Sequence, residues 1–418
     1  MHYFQTESEF NQERSGNYLE PWVSLIGEND RVDYNKTEEE KLFSTPFTIE
    51  ALGSGNISWS LGIKSLQYSK NGGEWTAMTS ATTIPVVAGD EVAFKGANSS
   101  YSGCSFSAST ADFNVKGNIM SLTNGDNFLT ASTLAASYTF NNLFRGCEGL
   151  SSAGKLKLPA TTLANCCYYT MFYGCTSLTT APSVLPATAL TDNCYEYMFS
   201  GCTSLVAAPE LPATTLAGYC YNYMFRDCTS LTTAPELPAT ALTNYCYSNM
   251  FRGCTSLTTA PELPATTLAE NCYSSMFSGC ESLTTAPSVL PATALTDSCY
   301  NTMFNGCTAL ATAPELPATT LASNCYRNMF KACTSLTTAP ELPATTLISA
   351  CYSAMFSGCT SLNYIKAMFT TTPSLTYTSN WVNGVAATGT FVKNSAAGWN
   401  VSGVHGIPDG WTVQIASA

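Results

Sequence analysis

Apolar positions between residues 140 and 365 follow a pattern that recurs about every 26 residues. In one unit Leu190, Cys194, Met198 and Cys202 lie four residues apart, a spacing that places side chains on one face of a helix. The other half of a unit, such as Ser230–Ala234, is short, rich in Thr and followed by proline. This half predicts a brief strand that is closed by a turn. Each unit should therefore contain a short parallel strand, a turn and a helical segment.

The period is clearest in the second cysteine of each unit, which recurs at intervals of 26 to 28 residues. These cysteines are Cys147, Cys175, Cys202, Cys228, Cys254, Cys280, Cys307, Cys333 and Cys359. A period of roughly 20–29 residues with regular leucines is typical of leucine-rich repeats, whose stacking buries one continuous core. We therefore predict a leucine-rich-repeat solenoid over residues 123–365, with Phe140–Leu150 as part of its N-terminal cap.

The segments on either side of the solenoid have different patterns. Residues 47–122 hold short alternating or β-branched runs between turn residues, which predicts an N-terminal antiparallel β-sandwich-like domain. These runs are Phe47–Leu52, Ile57–Leu61, Ser65–Tyr68, Trp75–Met78, Ile84–Val87, Glu91–Phe94 and Ala111–Val115. Residues 366–418 are rich in Thr, Gly, Val and Trp and predict a small C-terminal β cap. Residues 1–46 are polar, and we expect an arm or linker that a partner orders.

Charge narrows the class of partner. Only 11% of the 418 residues are charged, and the net charge is −12. Nucleic acids and anionic membranes bind clustered Lys and Arg, so we expect neither as a partner. No apolar run is long enough to span a membrane, so no membrane insertion is expected. The segment Met1–Glu7 lacks the basic and apolar regions of a secretory signal peptide, which predicts either a trimmed signal or a route that needs none.

The 19 cysteines are expected to pack as small apolar residues rather than to react. The two cysteines of a unit are eight residues apart, about 12 Å along a helix, which is too far for a disulfide. Disulfides between neighbouring units remain an alternative. The only histidines are His2 and His405, so neither a zinc site nor a catalytic triad is predicted. We expect no cofactor, no metal and no enzymatic activity.

Positions that vary between units while the core is retained are predicted to be exposed, and Tyr, Asn and Arg are frequent there. These candidate binding residues are Tyr197, Tyr219, Tyr223, Arg226, Tyr245, Asn249, Arg252, Asn271 and Arg327. Exposed Tyr and Asn suit contacts with a protein or glycan, although drift without function would give the same variation. The strand face is the second candidate surface, through Thr232, Thr258, Thr284 and Thr337.

The core F-x-G-C-x-S-L-T, followed by a Leu-Pro turn, resembles the BspA-like, or Treponema-type, leucine-rich repeats over about residues 140–365. This version is similar to arrays in proteins of gut Bacteroidales and their phages. The resemblance implies non-enzymatic adhesion to a surface glycan or protein. We therefore expect a recognition protein on a phage virion, as a tail fibre or capsid decoration. A secreted bacterial adhesin with a trimmed signal and a purely architectural virion component are the alternatives. A homo-oligomer is compatible with each of them.

Overall fold

The computed structural model describes residues 36–60, 65–79 and 82–416. The chain divides into two compact units, Met1–Lys41 and Leu42–Ala418. Most of the predicted arm, residues 1–35, lies outside the described residues, as does Leu61 at the end of one predicted strand. Helix α1, Glu38–Ser44, is the first described element.

Among the described residues before the repeats there are seven strands, and each overlaps one predicted run. They are β1 Thr48–Ala51, β2 Gly55–Ser58, β3 Leu66–Lys70, β4 Thr76–Ala77, β5 Thr83–Val86, β6 Glu91–Gly96 and β7 Phe113–Asn118. One sheet has the order β4-β3-β6-β1-β7-β8, where β8 is Leu150–Lys157 in the first repeat, and a second sheet pairs β2 with β5. The larger sheet is mixed rather than purely antiparallel as predicted, because β8 joins β7 in parallel and carries the ladder of the repeats into it.

The prediction of a helical segment in each repeat is wrong, because the structure has consecutive four-residue turns there. Met198 N donates to Tyr195 O at 3.1 Å, three residues back. The next amide, Phe199 N, donates instead to Met224 O in the following repeat at 2.9 Å. Amides therefore alternate between closing a turn and joining two repeats, whereas an α-helix would use all of them within the segment.

Left-handed residues explain why no helix forms. Asn193, Tyr197 and Gly201 have φ of 59°, 57° and 76°, so one residue in every four is left-handed. Such a residue cannot continue a right-handed helix, and it costs about 1–2 kcal/mol for any residue except glycine. The four-residue spacing of the apolar side chains reflects the length of a turn rather than the pitch of a helix.

The short strands predicted in the repeats are reduced to single β-bridges. Thr233 forms parallel bridges with Ala207 and with Thr259, its equivalents in the two neighbouring repeats. Pro235 follows closely and has no amide hydrogen, which stops the ladder from extending. Further parallel bridges lie after the proline, for example between Ala189 and Thr215. The repeats are thus stacked in parallel, as predicted, but through isolated bridges and turn amides.

Columns of identical side chains fill the interior. The rings of Phe225 and Phe251 stack at 5.6 Å, and those of Tyr221 and Tyr247 at 5.7 Å, with planes within 5°. All 19 cysteines are free and buried, as expected from the sequence. The Cys228 thiol donates to Phe199 O of the preceding repeat at 3.1 Å, and the equivalent thiols repeat this bond. Each thiol at the position of Cys228 therefore links two repeats without a disulfide.

The region after the repeats continues the stack. Strands β9 Tyr364–Ala367, β10 Thr390–Lys393 and β11 Thr412–Ile415 form a parallel sheet in the order β11-β10-β9. This sheet confirms the predicted β structure at the C-terminal end. The connections before and after the repeats contain α2, Ser121–Asn124, a 3₁₀ turn, Gly125–Thr130, and α3, Leu375–Thr378.

Candidate binding surface on the turn edge

The consecutive turns form one edge of the solenoid, called here the turn edge: residues 165–174 and their equivalents in later repeats. In the third repeat Cys194, Tyr195, Met198 and Phe199 are buried on this edge. The residues between them are those that differ between repeats. The invariant residues therefore form a buried inner row, whereas the variable residues range from buried, as at Glu196, to half-buried, as at Tyr197.

Six tyrosines lie on the turn edge of repeats two to five, in two sets whose rings contact one another. We call these six residues the tyrosine patch: Tyr169, Tyr173, Tyr197, Tyr219, Tyr223 and Tyr245. The rings of Tyr197 and Tyr223 stack at 4.6 Å, and those of Tyr219 and Tyr245 at 4.7 Å, each pair within 5° of parallel. Tyr169 and Tyr173 meet Tyr197 edge-on at 6.1 and 6.4 Å. Stacking between repeats fixes these rings in place before any ligand arrives.

Two arginines lie over rings of the patch. The Arg145 guanidinium carbon is 5.0 Å from the centre of the Tyr173 ring, and that of Arg226 is 5.5 Å from the centre of the Tyr223 ring. Both distances are within the range of cation–π attraction. The patch therefore combines aromatic area with guanidinium donors, the side chains that most often dominate binding energy at interfaces.

A buried carboxyl group lies beneath the patch. Glu196 is 8% exposed, and its Oε1 accepts a hydrogen bond from Asn222 Nδ2 at 2.9 Å. Burial raises the pKa of this carboxyl group, while hydrogen bonds from Asn193 and Asn222 oppose the shift. Burial and the neighbouring Tyr223 also raise the pKa of Tyr197 to about 12. The phenol therefore stays neutral at physiological pH and can both donate and accept hydrogen bonds.

A family model described as "BspA type Leucine rich repeat region" matches residues 136–257, 167–311, 209–337 and 271–380. These segments together cover more than half of the chain. The chain belongs to the BspA-type leucine-rich repeat family. The family resemblance inferred from the sequence is thus confirmed.

Two solved structures are similar to this BspA-type chain. A leucine-rich cell surface protein from Faecalibacterium prausnitzii A2-165 has 16% identity and a TM-score of 0.28, over 54% of this chain and 75% of that one. A leucine-rich repeat protein from Bacteroides ovatus ATCC 8483 has 14% identity and a TM-score of 0.22, over 74% of this chain and 96% of that one. A comparison with curated protein sequences gives no match.

The predicted binding residues fall into two groups on the BspA-type turn edge. All four predicted tyrosines belong to the patch, and one predicted arginine touches it: Tyr197, Tyr219, Tyr223, Tyr245 and Arg226. The others lie farther along the edge, where Arg252 and Arg327 are exposed and Asn271 is half-buried.

Asn249 corrects the predicted set, because it was expected to be exposed and is only 8% exposed. Its Nδ2 donates to Ser248 Oγ at 2.8 Å, and its φ is 57°. Asn tolerates the left-handed conformation better than most residues, so backbone geometry gives a sufficient reason for Asn249.

Sequence reasoning did not select Tyr169 and Tyr173. Their signal is available once the repeats are aligned, because Tyr169 falls in the column of Glu196 and Tyr173 in the column of Ser200. These two rings complete the aromatic cluster around Tyr197.

The strand face presents a second, different surface. Thr232, Thr258, Thr284 and Thr337 are all exposed there, as predicted. Two of these hydroxyls donate to carbonyls of the preceding repeat, Thr232 to Val206 O at 3.3 Å and Thr284 to Thr258 O at 3.2 Å. A shallow groove of about 580 Å³ runs beside the threonines, lined in part by Glu236 and Glu262. The hydroxyl row therefore supports stacking between repeats.

Two searches complete the survey of possible sites. Within the described ranges, no three His, Cys, Asp or Glu side chains are grouped so that they could hold a metal ion. No helix in that part of the chain has the length and apolar character needed to cross a bilayer.

Proposed function

We propose that this chain is a non-enzymatic recognition protein, displayed outside cells, that binds a surface glycan or protein through the tyrosine patch. The observation that carries the proposal is the stacking of Tyr197 on Tyr223 and of Tyr219 on Tyr245. Tyrosines that are already ordered add contact area at a low cost in entropy. Their hydroxyls, with Arg145 and Arg226 nearby, suit a polar ligand rather than a lipid.

Binding to bacterial and host surfaces tests the proposal. We would label the purified protein and measure its binding to a panel of gut bacteria and to mucus-coated surfaces. The test variant carries Tyr197→Asn and Tyr223→Asn, because asparagine already occupies their column at Asn249 and Asn328. These substitutions should preserve the fold while removing both stacked rings. The matched control carries Thr232→Ala and Thr258→Ala on the strand face.

The outcomes separate the candidate surfaces. Loss of binding in the tyrosine variant alone supports the patch. Loss in the threonine variant alone would move the site to the strand face. Absence of binding by the unmodified protein on every surface would contradict adhesion and favour a purely architectural role.

The particle or cell that displays the protein is also part of the proposal. We propose display on a phage virion, as a tail fibre or capsid decoration, with residues 1–46 as the attachment segment. The low charged fraction suits exposure outside cells in general, and a bacterial cell surface is the alternative carrier. Antibody detection in purified virions would support the first, and detection in washed, virus-free cells would support the second.

A further inference from the structure

The two ends of the parallel stack are closed to different extents. At the N-terminal end the larger sheet finishes with β4, which has only two residues, Thr76–Ala77. At the C-terminal end the ladder finishes with β11, which has four, Thr412–Ile415. Very short edge strands resist pairing with another chain, whereas longer ones invite it.

The outer edge of β11 offers unused backbone groups. Thr412 N donates to Gly389 O and Ala416 N to Lys393 O, both at 2.8 Å and both toward β10. Backbone groups alternate in direction along a strand, so the amides and carbonyls of Val413 and Ile415 point away from β10. Among the residues that the structure describes, no strand pairs with this side.

The side chains at this end are apolar and uncovered. Val413 is 41% exposed and Ile415 is 55% exposed. Val413 stands in register with Phe391, which is fully buried, so an inner apolar column ends at Val413, and no described strand lies beyond it. Residues 411–416 carry no charged side chain, although natural edge strands commonly use charge to prevent pairing.

We propose that β11 pairs antiparallel with β11 of a second copy of this chain, about a two-fold axis through Gln414. In this register Val413 of each copy lies opposite Ile415 of the other, and the outward amides and carbonyls of these residues exchange hydrogen bonds. Apolar residues meet apolar residues, and no like charges meet, so the strand is complementary to itself.

The two-fold arrangement ends at two copies. Each copy contributes the same strand, so the contact closes on itself, and the two-residue strand at the other end of the sheet offers little for continuation. A four-residue edge is small compared with the roughly 800 Å² per partner of a stable interface, so the dimer should be reversible and dependent on concentration. A dimer carries two tyrosine patches, which would strengthen binding to a surface that bears many ligands.

Sedimentation velocity of the full chain over a range of concentrations tests the pairing. We expect the monomer to convert to a dimer as concentration rises. The variant Val413→Lys with Ile415→Lys should weaken the dimer at least tenfold, because two like charges then face two others. Val206→Lys, at a residue 50% exposed in the middle of the array, is the control and should leave the dimer unchanged. A monomer at every concentration, or a dimer that survives the double lysine variant, would overturn the proposal.

A cross-link tests the register independently. Gln414 pairs with its own equivalent at a site without hydrogen bonds, where the Cα atoms are about 4.5 Å apart. A disulfide accepts roughly 4.4–6.8 Å, and all native thiols are buried, so Gln414→Cys should cross-link two copies when oxidised with diamide. Thr232→Cys, an exposed position in mid-array, is the control. Equal cross-linking of both variants would contradict the register. Neither experiment involves a ligand, so failure of the proposed function leaves this test unaffected.

Discussion

Alkaline pH should unfold this protein sharply, because its thiols are protonated in the native state and ionise once the chain unfolds. Burial raises the pKa of every cysteine from an ordinary value near 9.0, for example to about 12 for Cys246, Cys280 and Cys299. A group whose pKa is higher in the folded state contributes stability below its unfolded pKa, and that stability is lost as the pH rises toward the folded value. The contribution of the thiols to stability should therefore be constant below about pH 8 and be lost between pH 9 and 12.

The size of the effect follows from the number of thiols. At pH 9 half of the thiols would be ionised in the unfolded chain and few in the native protein, so each lowers the free energy of unfolding by about 0.4 kcal/mol. The 19 cysteines together lower it by about 8 kcal/mol. A typical domain is stable by about 5–15 kcal/mol, so the midpoint of unfolding should lie near pH 9 to 10. Buried tyrosines such as Tyr221, whose pKa is raised well above 10.0 by burial, add to the loss at higher pH.

Circular dichroism between pH 7 and 12, in the presence of a reductant, measures this transition. A variant with Cys246→Ala, Cys272→Ala and Cys299→Ala separates proton linkage from packing. This variant should be less stable than the unmodified protein at pH 7. Its free energy of unfolding should fall less steeply with pH. Once all thiols ionise in the unfolded chain, the two slopes should differ by up to about 4 kcal/mol per pH unit. Survival of the native fold beyond pH 11, or an unchanged slope in the triple variant, would refute the linkage argument.

Three further substitutions test the packing of the repeats through thermal unfolding. Tyr247→Phe should raise the free energy of unfolding by up to about 1 kcal/mol, because the Tyr247 hydroxyl is buried without a hydrogen-bond partner among the described residues; a loss of stability would show that it has one. Ala332→Gly should also stabilise, by about 1 kcal/mol, because Ala332 has a φ of 60°; no change would show that this conformation is unstrained. Phe251→Ala should destabilise by about 3–5 kcal/mol, because it leaves a cavity in the stacked column, and a smaller loss would mean that the column collapses around the gap.

The repeat unit and its buried columns could be predicted from the sequence, because identical residues at a fixed period must occupy identical environments. The turn structure could not, because apolar residues four apart, such as Cys194 and Met198, fit both a helix and a chain of four-residue turns. Asn193 and Gly201 carry the distinguishing signal, since both residue types accept the left-handed conformation. Tyr197 gives no such indication, because a bulky residue adopts the left-handed conformation only when its neighbours enforce it.

The tyrosine patch was predictable only in part. Variation between repeats identified Tyr197 and Tyr223 as candidates, but it says nothing of contacts between repeats. Their stacking at 4.6 Å depends on turns that place the same position of successive repeats side by side. The sequence thus predicts which residues vary, whereas the backbone decides which of them meet.

The similarity of the interfaces between repeats has a consequence for how the gene can change. Phe277, Phe304 and Phe330 stack on one another at 5.5 and 5.6 Å, so removing a unit such as residues 296–321 would join two surfaces that already fit. Unequal recombination between the near-identical coding segments could then lengthen or shorten the array by whole units without a new interface having to evolve. The distance between the tyrosine patch and β11 would then change by one repeat at a time, while the residues of both sites stay the same.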